Sequence, residues 1–454
     1  MNVNPKAKDQ LSAKDERPHI LFVTFDAVGP LLGGSAMRVL GLARGLAELG
    51  HRTMLAAARV QPGHPALPFP VIEFNPEHAR ETLGPLVQSA RVIVLPLFGI
   101  ARFRFLRRAA IPLVFDLYDP IFFELLETGA TAAELRRHRQ VVQQVMRRGD
   151  FFITGSERQR DFWLGFLAAS GRLSERNARD PARRGLIDVA GFGIDPTPPP
   201  EPSAARDRLI TEIPALAFAR GIVVWNGGIW DWTDPETLLK AMQILAQRRS
   251  GIHLILFAGT QTGVAPFGRS AAAQARSLSD QLGLTGECVH FIEHHIAFAE
   301  RGNYLAGCDA AVSTHRANLE SHFAYRTRFF DCFWAGLPLV CTAGDVIADL
   351  VSERGLGIVV PPENAGAIAD ALQRMTNDVE FARPCRERIA ETRALFTWRK
   401  AVQALSDFCA APRLNHISAP LADLRMLIES AASVLVEHGP RETWRRLQLH
   451  LRSR

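Results

Sequence analysis

The stretch RTRFFD, residues 326–331, places Arg326, Arg328 and Asp331 at the mouth of an apolar run. Phe329, Phe330, Phe333 and Trp334 in that run recur at helical spacing, with Asp331 on the other face and Arg328 one turn before it. A carboxylate at a helix start can accept two hydrogen bonds from vicinal ribose hydroxyls. Arginines at the same helix start, beside its free N–H groups, can neutralise a diphosphate. The competing reading is a local Arg328–Asp331 pair at i, i+3, worth roughly 0.2–0.5 kcal/mol. Two glycine pairs could also approach a phosphate closely. Gly33–Gly34 follows the first apolar run, and Gly227–Gly228 follows another in WNGGIWDWTDPETLLKAM. Neither has the GxGxxG spacing of a dinucleotide fingerprint. Trp225, Trp230 and Trp232 around the second pair could stack on a base or sugar, or wedge the loop against the core.

These groups need elements to hold them. HILFVTFD (19–26) reads as a strand, AVGPLLGG as a loop, SAMRVLGLARGLAELGH as a helix ending at Gly50, and HRTMLAAA as the next strand. Strand, glycine loop, helix, strand is the opening of a parallel sheet. Further strands are expected at 91–98, 111–119, 150–156 and 186–195, with an arginine-rich helix over 133–148. PTPPPEPSAARDR, too rich in proline for a strand or helix interior, reads as a linker. A second α/β series begins at 221–228 and continues through strands at 253–260, 288–293, 309–315, 337–343 and 357–361. The fold class is therefore α/β, with two Rossmann-like doubly wound domains facing a central cleft. The divisions are a disordered N-terminus over 1–17, an N-terminal domain over 18–196, a linker over 197–206 and a C-terminal domain over 207–390. A helix over 391–411 near the domain interface and a basic helical tail over 412–454 complete the chain. Sheets of this kind bind ligands beyond the carboxyl ends of their strands, which puts the site between the halves.

At 454 residues, 47% hydrophobic and 22% charged, the chain has the composition of a soluble two-domain protein. No apolar run reaches the ~18–20 residues of a membrane span, and no signal peptide is expected. Six cysteines without a CxxC pair read as reduced, buried thiols, hence a cytoplasmic protein. A net charge of +6 favours anionic partners, but no nucleic-acid module is recognisable. FGIARFRFLRRAA (98–110) could dock on anionic lipid at the inner face of the plasma membrane, or be an ordinary helix with snorkelling arginines. No DxD occurs, and the adjacent His294 and His295 point to different sides, so no metal site is expected.

Seven segments in order resemble those of family 4 glycosyltransferases of the GT-B fold, over roughly residues 19–411. "D-x3-A-G-x-P-x-V" at 331–340 is similar to the family's "E-x3-A-G-x-P-V-V", and "GGSAMRVLGLARGLAELGHRT" to its "GG-x4-V-x2-L-A-x2-L-x3-G-H-x-V". "ITGSERQRD", "VAGFGID", "YLAGCDAAVSTH" and "GIVVPPENAGAIADAL" match further family elements. "PLVFDLYD" resembles the strand that carries the family's "H-D". The resemblance implies a retaining, metal-independent hexosyltransferase without a cofactor. Its substrate would be a UDP-, GDP- or dTDP-sugar, and its acceptor a saccharide, lipid-linked saccharide or small molecule, as in bacterial polysaccharide biosynthesis. By that likeness Asp331 holds the ribose, and Arg326 and Arg328 with the Gly227–Gly228 loop hold the diphosphate. Glu293 lies near the base, and Glu320 and His322 near the sugar. Gly33–Gly34 forms the glycine loop of the acceptor domain, where Asp119 with Tyr118 orients or deprotonates the acceptor. The departures are specific. Phe323 stands eight residues before Asp331, where the family has its first glutamate. The diphosphate-gripping "G-R-x4-K-G" is missing, and Tyr118 replaces the histidine. A nucleotide-sugar 2-epimerase on the same scaffold, and an inactive partner protein, are the alternatives.

Overall fold

The computed structural model describes residues 19–174, 180–258 and 270–417. Short runs of apolar residues such as GIVVW, FFIT and LVCT are buried along their whole length, as in strands covered on both faces. They assemble into two parallel sheets. The N-terminal sheet comprises β1 (His19–Val28), β2 (Thr53–Val60), β3 (Val71–Glu73), β4 (Ala90–Pro96), β5 (Leu113–Asp116), β6 (Phe151–Thr154) and β7 (Ile187–Val189), in the order β3-β2-β1-β4-β5-β6-β7. The C-terminal sheet comprises β8 (Gly221–Trp225), β9 (Ile252–Phe257), β10 (Val289–Ile292), β11 (Ala310–Ser313), β12 (Leu339–Thr342) and β13 (Gly357–Val360), in the order β10-β9-β8-β11-β12-β13. The strand order reverses between β1 and β4 in one half and between β8 and β11 in the other. Those two points are where such sheets take ligands.

The helices that matter for the site are α1 (Gly34–Glu48), α2 (Ile121–Glu127), α3 (Ala132–Arg148), α4 (Glu157–Ala169), α5 (Pro202–Glu212), α6 (Pro235–Gln247), α7 (Arg301–Leu305), α8 (Leu319–Phe323), α9 (Arg328–Trp334) and α10 (Val346–Arg354). Two short helices, α11 (Trp398–Ala401) and α12 (Gln403–Ala410), return the chain to the N-terminal half. Trp398 lies on α1 so closely that a Cβ on Gly41 would stand 2.1 Å from its ring, and Phe408 stacks on Phe151 at 4.7 Å. One hydrophobic core therefore runs from Phe22 and Leu42 through Phe192, Phe330 and Trp398.

The expected linker is shorter than 197–206. Pro202 opens α5, where its missing N–H would have no helical partner anyway. Ala205 and Leu209 are buried, and α5 packs on α7 of the second half. In the 98–110 segment Ile100, Phe103 and Leu106 are buried in the core while Arg102, Arg104 and Arg108 face outward. Phe103 and Leu106 are thus packing residues, not a lipid-docking surface. Among the described residues no helix is long and apolar enough to cross a membrane. After α12 the chain is tied down by Asp150, fully buried at the start of β6. Its Oδ1 accepts from the backbone N–H of Asn415 and of His416, and its Oδ2 from Leu113 N–H and Arg148 Nη1. The expected N-terminus over 1–17 and the basic tail beyond 417 lie outside the described residues.

Candidate active site

The two reversal points meet at one arginine. After β8 the chain turns through Gly227, whose φ of +133° suits glycine. A Cβ there would approach Arg328 Cγ to 3.2 Å. Asn226 Nδ2 donates to the Arg328 carbonyl at 3.0 Å, fixing the start of α9 beneath this turn. From the other half, α1 begins at Gly33–Gly34 with no side-chain cap on its first N–H groups. Gly34 faces Thr327, and the Arg328 guanidinium reaches Met37 Sδ at 3.2 Å and the Leu32 carbonyl at 3.5 Å. Both glycine loops thus flank Arg328, which keeps 31% of its side chain accessible.

On one side of Arg328 lies Asp331, buried on α9. Its Oδ2 is 3.4 Å from Arg328 Nη1, and its Oδ1 accepts from Arg301 Nε at 3.2 Å. Arg301, at the start of α7, also donates to Asp195 at 2.8 Å and to the Phe298 carbonyl at 2.7 Å. These hydrogen bonds, with one to Thr197, hold the Asp195 carboxyl below its usual range although burial pushes it up. Asp331 borders a small cavity of about 50 Å³, walled by Met37, Leu40 and Trp398 from one side and Phe298, Arg301 and Phe330 from the other.

Further acids gather where α2 of one half meets α8 of the other. Arg38 on α1 is wholly buried and forks Asp116, at the end of β5, at 2.7 and 2.9 Å, while donating to the carbonyls of Ala190 and Gly191. Its guanidinium packs over the Tyr118 ring. Burial would lower its affinity for a proton, but Asp116 more than restores it. Asp119 follows in the same loop. Burial and the charge of Asp116 raise its carboxyl to about 7, with Arg38 and Tyr118 opposing. Glu124, in the first turn of α2, is pushed well above the usual carboxylate range by burial, Asp119 and Glu320. Among the described residues neither Asp119 nor Glu124 has an ion-pair partner. From the other half, Glu320 on α8 is 1% exposed and is forked by Arg326 at 2.8 and 2.7 Å. Arg326 Nε faces Asp345, the cap of α10, at 3.6 Å. The halves are drawn together here. Phe123 of α2 stacks on Phe323 of α8 at 5.2 Å, and Gln159 of α4 donates to the carbonyls of Tyr118 and Phe323.

The sequence reading is brought together in part. Gly33, Gly34, Gly227, Arg328 and Asp331 converge, and Asp119, Tyr118 and Glu320 line the adjoining cleft. Arg326 is turned away from the glycine loops and spent on Glu320 and Asp345, so it does not stand where a diphosphate grip would need it. Gly228 faces Trp230, whose Nε1 would be 2.9 Å from a Cβ, and Trp230 stacks on Trp232 at 5.2 Å. Packing therefore accounts for Gly228, Trp230 and Trp232. Glu293 is exposed at the end of β10 and paired with Arg276, and His322 is exposed beside the Phe323 ring. Sequence reasoning missed Arg38, Glu124, Asp195 and Arg301. Arg38 carried a usable signal, being the only charge between Gly34 and Ala43 in a helix of apolar and small residues. Arg301 carried none, because its partners stand 30 and 106 positions away.

Residues 220–378 match the model of the family Glycosyl transferases group 1. No curated protein sequence matches the chain. Among solved structures, the chain is similar to HepE from Anabaena in complex with UDP and glucose, at a TM-score of 0.64 and 17% identity, covering 87% of this chain and 100% of that one. It is likewise similar to sucrose-phosphate synthase from Thermosynechococcus elongatus, at 0.60 and 18% over 86% and 98% of the two chains. WaaG, a glycosyltransferase involved in lipopolysaccharide biosynthesis, gives 0.61 and 13% over 86% and 100%. The match to the glycosyl transferases group 1 model thus falls within the second half, and the chain shares the two-sheet GT-B fold of these solved structures.

Proposed function

We propose that the protein moves a sugar from a nucleoside-diphosphate sugar to an acceptor hydroxyl, with retention and without a metal. The donor would lie along the C-terminal half in three parts. The nucleoside lies beside Asp331, with the ribose on its carboxylate. The diphosphate sits by Arg328, between the α1 N–H groups and the Gly227 turn. The sugar reaches into the acid-lined cleft. The observation that carries this reading is the convergence of both glycine loops on Arg328. Arg328 and the α1 N-terminus then stabilise charge as it develops on the leaving diphosphate. The acceptor, a saccharide or lipid-linked saccharide, enters from the N-terminal half. On the face from which the diphosphate departs, its hydroxyl oxygen bonds to the anomeric carbon as the bond from that carbon to the diphosphate breaks, so configuration is retained, and the hydroxyl proton passes to Asp119. Glu320, held by Arg326, fixes sugar hydroxyls, and Glu124 faces them from α2. HepE, whose structure holds UDP and glucose, offers a precedent on the same fold.

Calorimetric titration with UDP, GDP and dTDP tests the donor reading. At least one should bind the wild-type protein, and Asp331→Ala should weaken it tenfold or more. Absence of binding to all three, or an affinity unchanged in Asp331→Ala, contradicts it. The carboxyls Asp119 and Glu124 beside the sugar position favour one second reading, a 2-epimerase. Incubation with donor alone separates the two, because only an epimerase would change the sugar without an acceptor.

A further inference from the structure

Arg301 is the residue of the site whose contacts most exceed what packing alone would need. It is 9% exposed and lines the cavity, yet all three donor nitrogens of its guanidinium are engaged. Nη2 donates to Asp195, Nη1 to the Phe298 carbonyl and Nε to Asp331 Oδ1. The plane of the guanidinium is also fixed by two rings, with Phe298 and Trp334 centred 3.7 and 4.2 Å from its Cζ. An arginine held this firmly fixes whatever it touches. What it touches is one oxygen of the carboxylate at the cavity floor, while the second faces Arg328.

Two arginines on one carboxylate have a chemical consequence. They hold the Asp331 carboxyl in place, and each oxygen retains a lone pair for another donor. Such a group accepts a pair of adjacent hydroxyls well, because both acceptor positions are set before the ligand arrives. A sugar with only one of those hydroxyls leaves one position of a desolvated carboxylate unfilled, which costs more than the missing bond itself. Asp195 belongs to the segment between β7 and α5 that joins the two halves, so the same chain of contacts ties the carboxylate to the interdomain connection.

We propose that Arg301 is a positioning residue that sets Asp331 for a 2′,3′-diol, so that the site selects a ribonucleoside diphosphate over its 2′-deoxy counterpart. The inference rests on the reading of Asp331 as the ribose group and narrows the donor to UDP- or GDP-sugars, against dTDP-sugars.

The test is calorimetric titration of UDP, 2′-deoxy-UDP, GDP and 2′-deoxy-GDP into the wild-type protein and the Arg301→Ala, Arg301→Lys and Asp331→Ala variants. Thermal melts confirm that each variant is folded. The wild type should prefer the ribonucleotide by about tenfold, the value of one charge-assisted hydrogen bond. Arg301→Ala should weaken the ribonucleotide and leave the deoxynucleotide nearly unchanged, so that the preference collapses, and Arg301→Lys should restore part of it. An equal loss for both nucleotides, or a preference unchanged in Arg301→Ala, overturns the role of Arg301 while leaving the donor site standing. No binding of any nucleotide to the wild type, or binding unaffected in Asp331→Ala, overturns the donor reading and this inference with it.

Discussion

The two halves each bring acids to their meeting point and treat them in opposite ways. In the C-terminal half Glu320 is forked by Arg326, and Asp331 is held by Arg301 and Arg328. In the N-terminal half one arginine, Arg38, is spent on Asp116, and Asp119 and Glu124 are left in the same desolvated cleft without one. A carboxylate held by arginines makes a fixed acceptor, suited to gripping hydroxyls. Unpaired acids hold their protons into the neutral range, which suits proton transfer. The division of labour between binding and chemistry is thus written in where the arginines are.

The same acid-to-amide change should therefore have opposite effects in the two halves. Glu320→Gln removes the fork and leaves the buried Arg326 with Asp345, at 3.6 Å, as its ion-pair partner, and should cost up to about 3 kcal/mol in denaturant unfolding. A change under ~1 kcal/mol would show that the pair is not the fixed element described. Asp119→Asn should stabilise the protein at pH 8. The Asp119 carboxyl titrates near 4 when unfolded and at about 7 when folded, so the native state holds the extra proton between those values. Its favourable contribution is complete below about pH 4 and is lost as pH rises to 7. Removing the charge should thus gain on the order of 2 kcal/mol at pH 8 and almost nothing at pH 4. An equal effect at both pH values would contradict the titration. The smallest effect belongs to Arg158, which reaches from α4 to Asp349 and the Gly344 carbonyl across the halves. Both partners are partly exposed, so Arg158→Ala should change stability by less than about 1 kcal/mol. A larger loss would mean that this latch, and not the buried arginines, holds the halves together.

Much of the architecture was legible because parallel strands are short apolar runs and α/β units alternate regularly. Gly227 was legible because its positive φ restricts residue type, and Gly33–Gly34 and Asp331 because they stand in short, recognisable segments. The pairing of charges was not. Arg326 looked free to hold a diphosphate, since nothing in RTRFFD shows that α8 folds back to present Glu320 to it. Arg301 and Asp195 are brought together only by the crossing of the interdomain segment over α7. Proline density over 197–206 read as a linker, though Pro202 is compatible with the first turn of a helix. Local chemistry reports what a residue can do, and long-range topology decides which partner it meets.

The central claim is that Asp119 does proton work in a cleft whose donor is held elsewhere. It is tested most directly by the rate of nucleotide release from UDP- and GDP-sugars, with saccharide acceptors, between pH 5.5 and 9. For the wild type the rate should rise through about pH 7, as Asp119 loses its proton. For Asp119→Asn it should fall about 100-fold or more and lose that rise, while calorimetry finds nucleotide affinity unchanged. A variant with the wild-type pH profile, or one that has lost nucleotide binding along with activity, would contradict the account.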